Sequence, residues 1–182
     1  MASYGSSSCE DVDRHVLRRY DIGQKLGKGA YGVVWRVESK KTREKLALKK
    51  IFDAFQNATD AQRTYREILY LWAMAEHPQI IGLRKVIRAD NDRDIYLVFE
   101  NMETDLATAI RMDILHDVHK QYIAWQALCA LKYMHSAKLV HRDMKPANLL
   151  LNSDCQMKVA DFGLARSLKD CLLYTSPSPR DS

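Results

Sequence analysis

The stretch His141-Arg142-Asp143-Met144-Lys145-Pro146-Ala147-Asn148 carries an acid, a lysine two residues on and an asparagine five residues on. Pro146 has no backbone donor and disfavours the helical region at Lys145, so the segment reads as a loop. Eighteen residues beyond Asp143 comes Asp161-Phe162-Gly163. Between them lie two short apolar runs, Leu149-Leu150-Leu151 and Met157-Lys158-Val159-Ala160, separated by Asn152-Ser153-Asp154. These read as a small hairpin with a polar turn. Phosphoryl transfer needs this inventory of groups. A carboxylate orients a hydroxyl and accepts its proton, a lysine offsets charge on the moving phosphoryl group, and Asn and Asp oxygens hold Mg²⁺. Each piece also has a plainer use: Asn148 can cap a turn, and Asp161 can pair with Lys158. The order in which these motifs coincide favours the chemical reading.

Upstream, Leu26-Gly27-Lys28-Gly29-Ala30-Tyr31-Gly32-Val33-Val34 contains GxGxxG. A dinucleotide fingerprint lies between a strand and a helix. Here strand-like residues stand on both sides: Tyr20 to Leu26 before, Gly32 to Glu38 after. The glycines therefore fall in a hairpin, where the missing Cβ lets backbone N–H groups approach phosphates. A merely flexible hairpin is the alternative. Leu46 to Ile51 reads as a third strand, with Lys40 to Arg43 as the turn before it. Lys49 on that strand either faces water or pairs with Glu67, eighteen residues later on a helix. A Lys–Glu pair would hold the ammonium toward a phosphate. The alternative partner for Glu67 is Arg63, or water.

That helix reads from Asp60 to Glu76, capped by Thr59 or Asp60, with an apolar stripe of Ile68, Leu69, Leu71, Trp72 and Ala75. His77-Pro78 stops it. Strands follow at Leu83–Arg88 and Ile95–Phe99, joined by the polar turn Asn91 to Asp94. After Glu103 the pattern is helical. Asp117 to Ala137 sets Ile123, Ala127, Leu128, Leu131 and Met134 on one face.

Composition narrows the function classes. The 182 residues are 47% apolar and 28% charged, ordinary for a soluble globular protein with one good core, or one small and one partial core. The net charge of +5 is mild, and the basic residues are scattered, which argues against nucleic-acid binding. No run of eighteen apolar residues could span a membrane. The N-terminus lacks a secretory apolar core and a Gly after its Met. Cys9, Cys129, Cys155 and Cys171 show no CxxC spacing, so disulfides and zinc are not expected and a reducing compartment is.

Taken together, the motifs resemble a eukaryotic protein kinase. Gly27, Gly29 and Gly32 match its glycine-rich loop, Leu46-Ala47-Leu48-Lys49 its VAIK strand and Glu67 its helix glutamate. HRDMKPAN matches its catalytic loop and Asp161-Phe162-Gly163 its metal-binding turn. AQRTYREILYL, HPQIIGL, NDRDIYLVFENMETDL and DFGLAR are similar to mitogen-activated protein kinases, most of all the atypical extracellular-signal-regulated branch. The match runs from about Arg14 to Lys169.

The resemblance implies an α+β, bilobal kinase fold: a complete N-terminal five-stranded sheet lobe with helix C (14–103), and only the first part of a helical C-terminal lobe (104–169). It implies ATP and Mg²⁺ as cofactors. Leu26 through Val34 would cover the nucleotide, with Lys28, Ala30, Tyr31 and Val33 among them. Backbone atoms near Glu100 and Met102 would hold the adenine, with Phe99 behind it, and Asp105 would reach the ribose. Lys49, held by Glu67, would contact the phosphates. Asp143 would be the catalytic base with Lys145 beside it, and Asn148 and Asp161 would bind the metal. Arg142 would answer a phosphate on the activation segment. Protein substrates modified at Ser/Thr, and upstream regulators, are the implied partners. Nucleic acid and membrane are not. A monomer in the cytoplasm and nucleus is expected.

The end of the chain departs from the family. A Thr-x-Tyr pair and an APE-like anchor should follow Arg166, but Tyr174-Thr175-Ser176-Pro177 is neither. Codons for Cys171 to Asp181 look like a transposase-based sequencing-library adapter. Residues 170–182 are therefore expected to be non-native and the chain truncated, with a genuine Ser/Pro tail as the alternative. Residues 1–13 read as a mobile Ser-rich tail. The sequence is compatible with two functions: a catalytic kinase whose shortened chain lacks turnover, and a non-catalytic decoy that binds nucleotide or regulators.

Overall fold

A computed structural model describes residues 12–29 and 32–168. The expectations for residues 1–11, Ala30, Tyr31 and the segment from Lys169 onward lie outside the described residues. The chain divides into two units, residues 1–64 with 82–102 and residues 65–81 with 103–182.

In the first unit, alternating β-branched and aromatic residues form a five-stranded antiparallel sheet. Its strands are β1 (Tyr20–Gly29), β2 (Gly32–Ser39), β3 (Lys45–Ile51), β4 (Leu83–Arg88) and β5 (Ile95–Glu100), in the order β1-β2-β3-β5-β4. The period-2 pattern sorts their side chains. Val33, Trp35 and Val37 of β2 are buried, as are Leu46 and Leu48 of β3. Lys50 falls on the same face of β3. Its buried ammonium lies 3.2 Å from the Asp94 carboxylate, which removes the cost of an unpaired interior charge.

A short helix, α1 (Arg14–Leu17), closes this core from the N-terminal side. Val12 and Val16 join the cluster around Trp35, and Asp13 N–H donates to the Tyr96 hydroxyl at 3.2 Å. Val12 and Asp13 thus depart from the expected tail. Val12 contributes apolar area to the core, and a single valine in a polar stretch gives no periodic signal.

The helix α2 (Ala58–Ala73) begins where Asn57 Oδ1 accepts from Asp60 N–H at 2.9 Å. The cap is therefore Asn57, not Thr59 or Asp60. Its buried positions are Thr64, Glu67 and Leu71, with Met74 buried just past its end, while Leu69 and Trp72 are exposed. Of the expected stripe, Leu71 is buried and Ile68 half-buried, and the rest is exposed, because the buried face also takes the polar Thr64 and Glu67.

The second unit contains α3 (Leu106–Arg111), α4 (Asp117–Ser136) and short strands β6 (Thr104–Asp105), β7 (Leu139–Val140), β8 (Leu149–Leu151), β9 (Met157–Val159) and β10 (Arg166–Ser167). The expected hairpin is the antiparallel β8–β9 pair, extended by β6 on the other edge of β8. Strand β10 pairs with β7. On α4, Ile123, Gln126, Ala130 and Met134 are buried. Leu128 is 65% exposed, as are most of Val118 and Trp125, so this helix carries a second, uncovered apolar face among the described residues. The buried Gln126 is no accident of packing. Its amide donates to Cys155 O at 2.9 Å and accepts from Met157 N–H at 2.8 Å, tying α4 to the β8–β9 turn. No described helix is long and apolar enough to cross a membrane.

Candidate active site

The Asp143 loop joins β7 to β8. Lys145 is extended (φ −149°, ψ 158°), the conformation Pro146 favours before itself, and residues 146–148 then make one tight helical turn. That turn brings three side chains together. Lys145 Nζ lies 2.8 Å from Asp143 Oδ2, and Asn148 Nδ2 donates to the same oxygen at 3.0 Å and to Asp143 O at 2.9 Å. The Lys145 hydrogen bond, helped by Asn148, holds the Asp143 carboxyl below the usual carboxylate range. Asp143 is therefore ionised at neutral pH, with Oδ1 free of hydrogen bonds among the described residues.

His141 sets the loop's position. Its ring is buried, with Nδ1 accepting from Asp143 N–H at 3.3 Å and Nε2 3.0 Å from Ala160 O. A backbone N–H can only donate, so Nδ1 is the acceptor and Nε2 carries the proton. Burial lowers the His141 pKa and keeps the ring neutral. The edge of the ring packs against Phe162, centroids 4.8 Å apart. Ala160 N–H also donates to Asn148 O at 2.9 Å. The Asp143 loop and the Asp161 turn are thus locked together through Ala160. Spacing alone carried no signal for this role of His141.

Asp161 follows directly, in the left-handed region (φ 63°, ψ 70°), and Arg142 is there too (φ 70°). Non-glycine residues in this region carry about 1–2 kcal/mol of strain, which the surrounding hydrogen bonds must hold. The Asp161 carboxylate and Asn148 Oδ1 take no protein hydrogen bond among the described residues. An uncharged amide oxygen and a carboxylate oxygen are the donors a hard cation such as Mg²⁺ takes. The expected pairing of Asp161 with Lys158 does not form, because Lys158 Nζ donates to Pro78 O at 2.9 Å.

In the first unit, Gly27, Gly29 and Gly32 lie at the closed end of the β1–β2 hairpin, with Gly27 opposite Val34, Lys28 opposite Val33 and Gly29 opposite Gly32. They have different physical reasons. A Cβ on Gly27 or Gly29 would meet nothing within 4 Å, so their backbone faces open space, as a phosphate cradle requires. A Cβ on Gly32 would collide with Lys50 O on β3. Gly32 is there for strand packing. Leu26 is exposed beside them and Val34 is half-buried. Lys49 sits between Val34 and Leu97 in the ladder, on the face opposite Lys50. The Glu100 carboxylate accepts from Gly82 N–H at 2.6 Å, and Met102, buried, makes no backbone hydrogen bond among the described residues. That leaves a backbone edge available at Met102.

Glu67 is buried on α2, in the other unit from Lys49. Asp105, expected at a ribose, also caps α3: its oxygens accept from Thr108 N–H at 2.9 Å and Thr108 Oγ1 at 2.7 Å. Asp–x–x–Thr is a capping pattern, and that signal was legible in the sequence.

The protein kinase domain model matches residues 20–178. The chain belongs to the protein kinase family. It is 66% identical over 161 residues to extracellular signal-regulated kinase 2 of Dictyostelium discoideum, covering 88% of this chain and 44% of that protein. It is 56% identical to mitogen-activated protein kinase 15 of Caenorhabditis elegans, covering 87% of the chain and 34% of the relative. Identity to extracellular signal-regulated kinase 7 of Drosophila melanogaster is 46% over 180 residues, 96% of this chain and 20% of the relative. The chain spans less than half the length of these curated relatives.

Proposed function

We propose that this chain carries the ATP-side half of a mitogen-activated protein serine/threonine kinase, which transfers the γ-phosphoryl group of MgATP to Ser or Thr hydroxyls in intracellular signalling, at sites followed by Pro. The arrangement of Asp143 carries the proposal. Its ionised carboxylate is fixed at Oδ2 by Lys145 and Asn148 and open at Oδ1. A substrate hydroxyl at Oδ1 would be oriented and relieved of its proton, while the Lys145 ammonium offsets charge on the transferred group. Asn148 Oδ1 and Asp161 would hold Mg²⁺, which supplies charge neutralisation at the phosphates. Gly27 and Gly29 would admit the phosphates, Lys49 held by Glu67 would contact them, and the Met102 backbone would receive the adenine. The enzyme works as a monomer in the cytoplasm and nucleus. The test is phosphoryl transfer from labelled ATP to a Ser-Pro peptide by the longer protein that carries this chain. Asp143→Asn should lower kcat by at least about 100-fold with little change in nucleotide affinity. Equal turnover by mutant and wild type would sink the assignment.

A further inference from the structure

At the end of the β1–β2 hairpin remote from the glycines, a cavity of about 520 Å³ opens on the first unit. Five cations line it from three separate segments: Arg18 and Arg19 after α1, Lys40 and Lys41 in the β2–β3 turn, and Lys85 on β4. All five are exposed. The wall is built rather than incidental. Lys40 N–H donates to Arg19 O at 2.9 Å, Ser39 N–H to Glu44 O at 2.9 Å and Arg43 N–H to Ser39 O at 2.8 Å, which pins the turn against Arg19. Tyr20, buried in the core cluster, anchors the same corner.

Lys40 pairs with Asp21 at 3.2 Å, and Arg43 turns to Glu38 at 2.7 Å. Glu44 is another nearby carboxylate, felt by Tyr20. Arg18, Arg19, Lys41 and Lys85 form no ion pair among the described residues. Concentrating unpaired cations around a concavity raises the potential there and costs stability unless an anion arrives. Arginine forks and lysine ammoniums are the usual partners of phosphate oxygens, and the cavity falls in the size range of small-molecule sites. One phosphate cannot neutralise four open cations, so the ligand carries several. No exposed large apolar side chain lines the cavity, so nothing there would insert into a bilayer. The β1 strand separates this corner from the glycine turn by roughly 25–30 Å at about 3.3 Å per residue, so it is not the nucleotide site.

We propose that this cavity binds a free polyphosphorylated small molecule of the inositol polyphosphate class. Calorimetric titration of the whole chain with inositol hexakisphosphate at 50 mM salt tests it. Binding should be measurable. It should weaken at least tenfold in Arg18→Gln/Lys41→Gln, stay unchanged in Lys49→Met, and stay unchanged in the control Lys120→Gln/Lys132→Gln. Thermal melting checks that each variant is folded, and Lys85→Gln on a separate strand should weaken binding several-fold if the double variant melts early. The proposal is overturned by any of these outcomes: no binding, equal loss in the control pair, loss in Lys49→Met, inorganic phosphate binding as tightly, or binding only to phosphoinositide vesicles or only to a phosphopeptide.

Discussion

Substituting alanine at each glycine of one motif should separate folding from function. A Cβ added at Gly32 collides with Lys50 O, and would also stand 3.1 Å from Lys50 C and 3.3 Å from Ile51 Cα. All three are backbone atoms, so no side chain can swing away. The β2 and β3 strands must part by roughly 1 Å, an overpacking strain of about 1–3 kcal/mol. The rung between Gly32 and Ile51 is lost with it, at about 0.5–1.5 kcal/mol. Against this, a Gly→Ala change restrains the unfolded chain and returns about 0.4–1 kcal/mol. At mid-range values the net is a loss of about 2 kcal/mol, between limits of about 0.5 and 4 kcal/mol. Gly27→Ala meets nothing within 4 Å and should lie within about 0.5 kcal/mol of wild type. Urea unfolding followed by tryptophan emission is a suitable assay. Trp35 is 1% exposed, whereas Trp72 and Trp125 are more than half exposed, so the change on unfolding comes mainly from Trp35 in the same sheet. With a slope of about 2 kcal/mol per molar urea, Gly32→Ala should lower the midpoint by about 1 M. A wild-type midpoint for Gly32→Ala, or an equal fall for Gly27→Ala, would refute the reasoning.

Other perturbations follow from single contacts. Gln126→Leu strands a buried Met157 N–H and the Cys155 carbonyl, and should cost about 2–4 kcal/mol by thermal or urea unfolding, whereas Leu128→Gln on the exposed face should be nearly neutral. Asn57→Ala removes the cap of α2 and should cost about 1 kcal/mol, read as a loss of helical ellipticity and a lower melting point. Burial lowers the His141 pKa, so below about pH 6.5 the unfolded chain binds its proton more readily than the folded one. Stability should be flat above that pH and fall by up to about 1.4 kcal/mol per pH unit below it, until the folded pKa is reached. His141→Asn should flatten that slope in urea midpoints between pH 7.5 and 5.5. The residual slope belongs in part to His77, whose pKa burial also lowers.

The sequence by itself determined the five strands, the β8–β9 hairpin and the Asp143 loop, because each is coded locally. Alternation of apolar side chains specifies a half-buried strand, and Pro146 forces Lys145 to be extended whatever surrounds it. The clustering of Asp143, Lys145 and Asn148 was legible for the same reason: five residues of loop keep them within reach. What only the tertiary structure decided depends on partners distant in the chain. Gly32 and Gly27 look alike in sequence, yet only Gly32 touches β3. Lys49 and Lys50 are adjacent, but the strand's period sends them to opposite faces, and it is Lys50 that meets Asp94. The buried faces of α2 and α4 carry Thr64, Glu67 and Gln126, polar residues that periodicity counts as surface, and Gln126 is interior because Cys155 and Met157 are brought to its amide. His141 is the clearest case. Its role rests on Ala160, nineteen residues away, and a neutral buried ring takes its meaning from the groups folded against it.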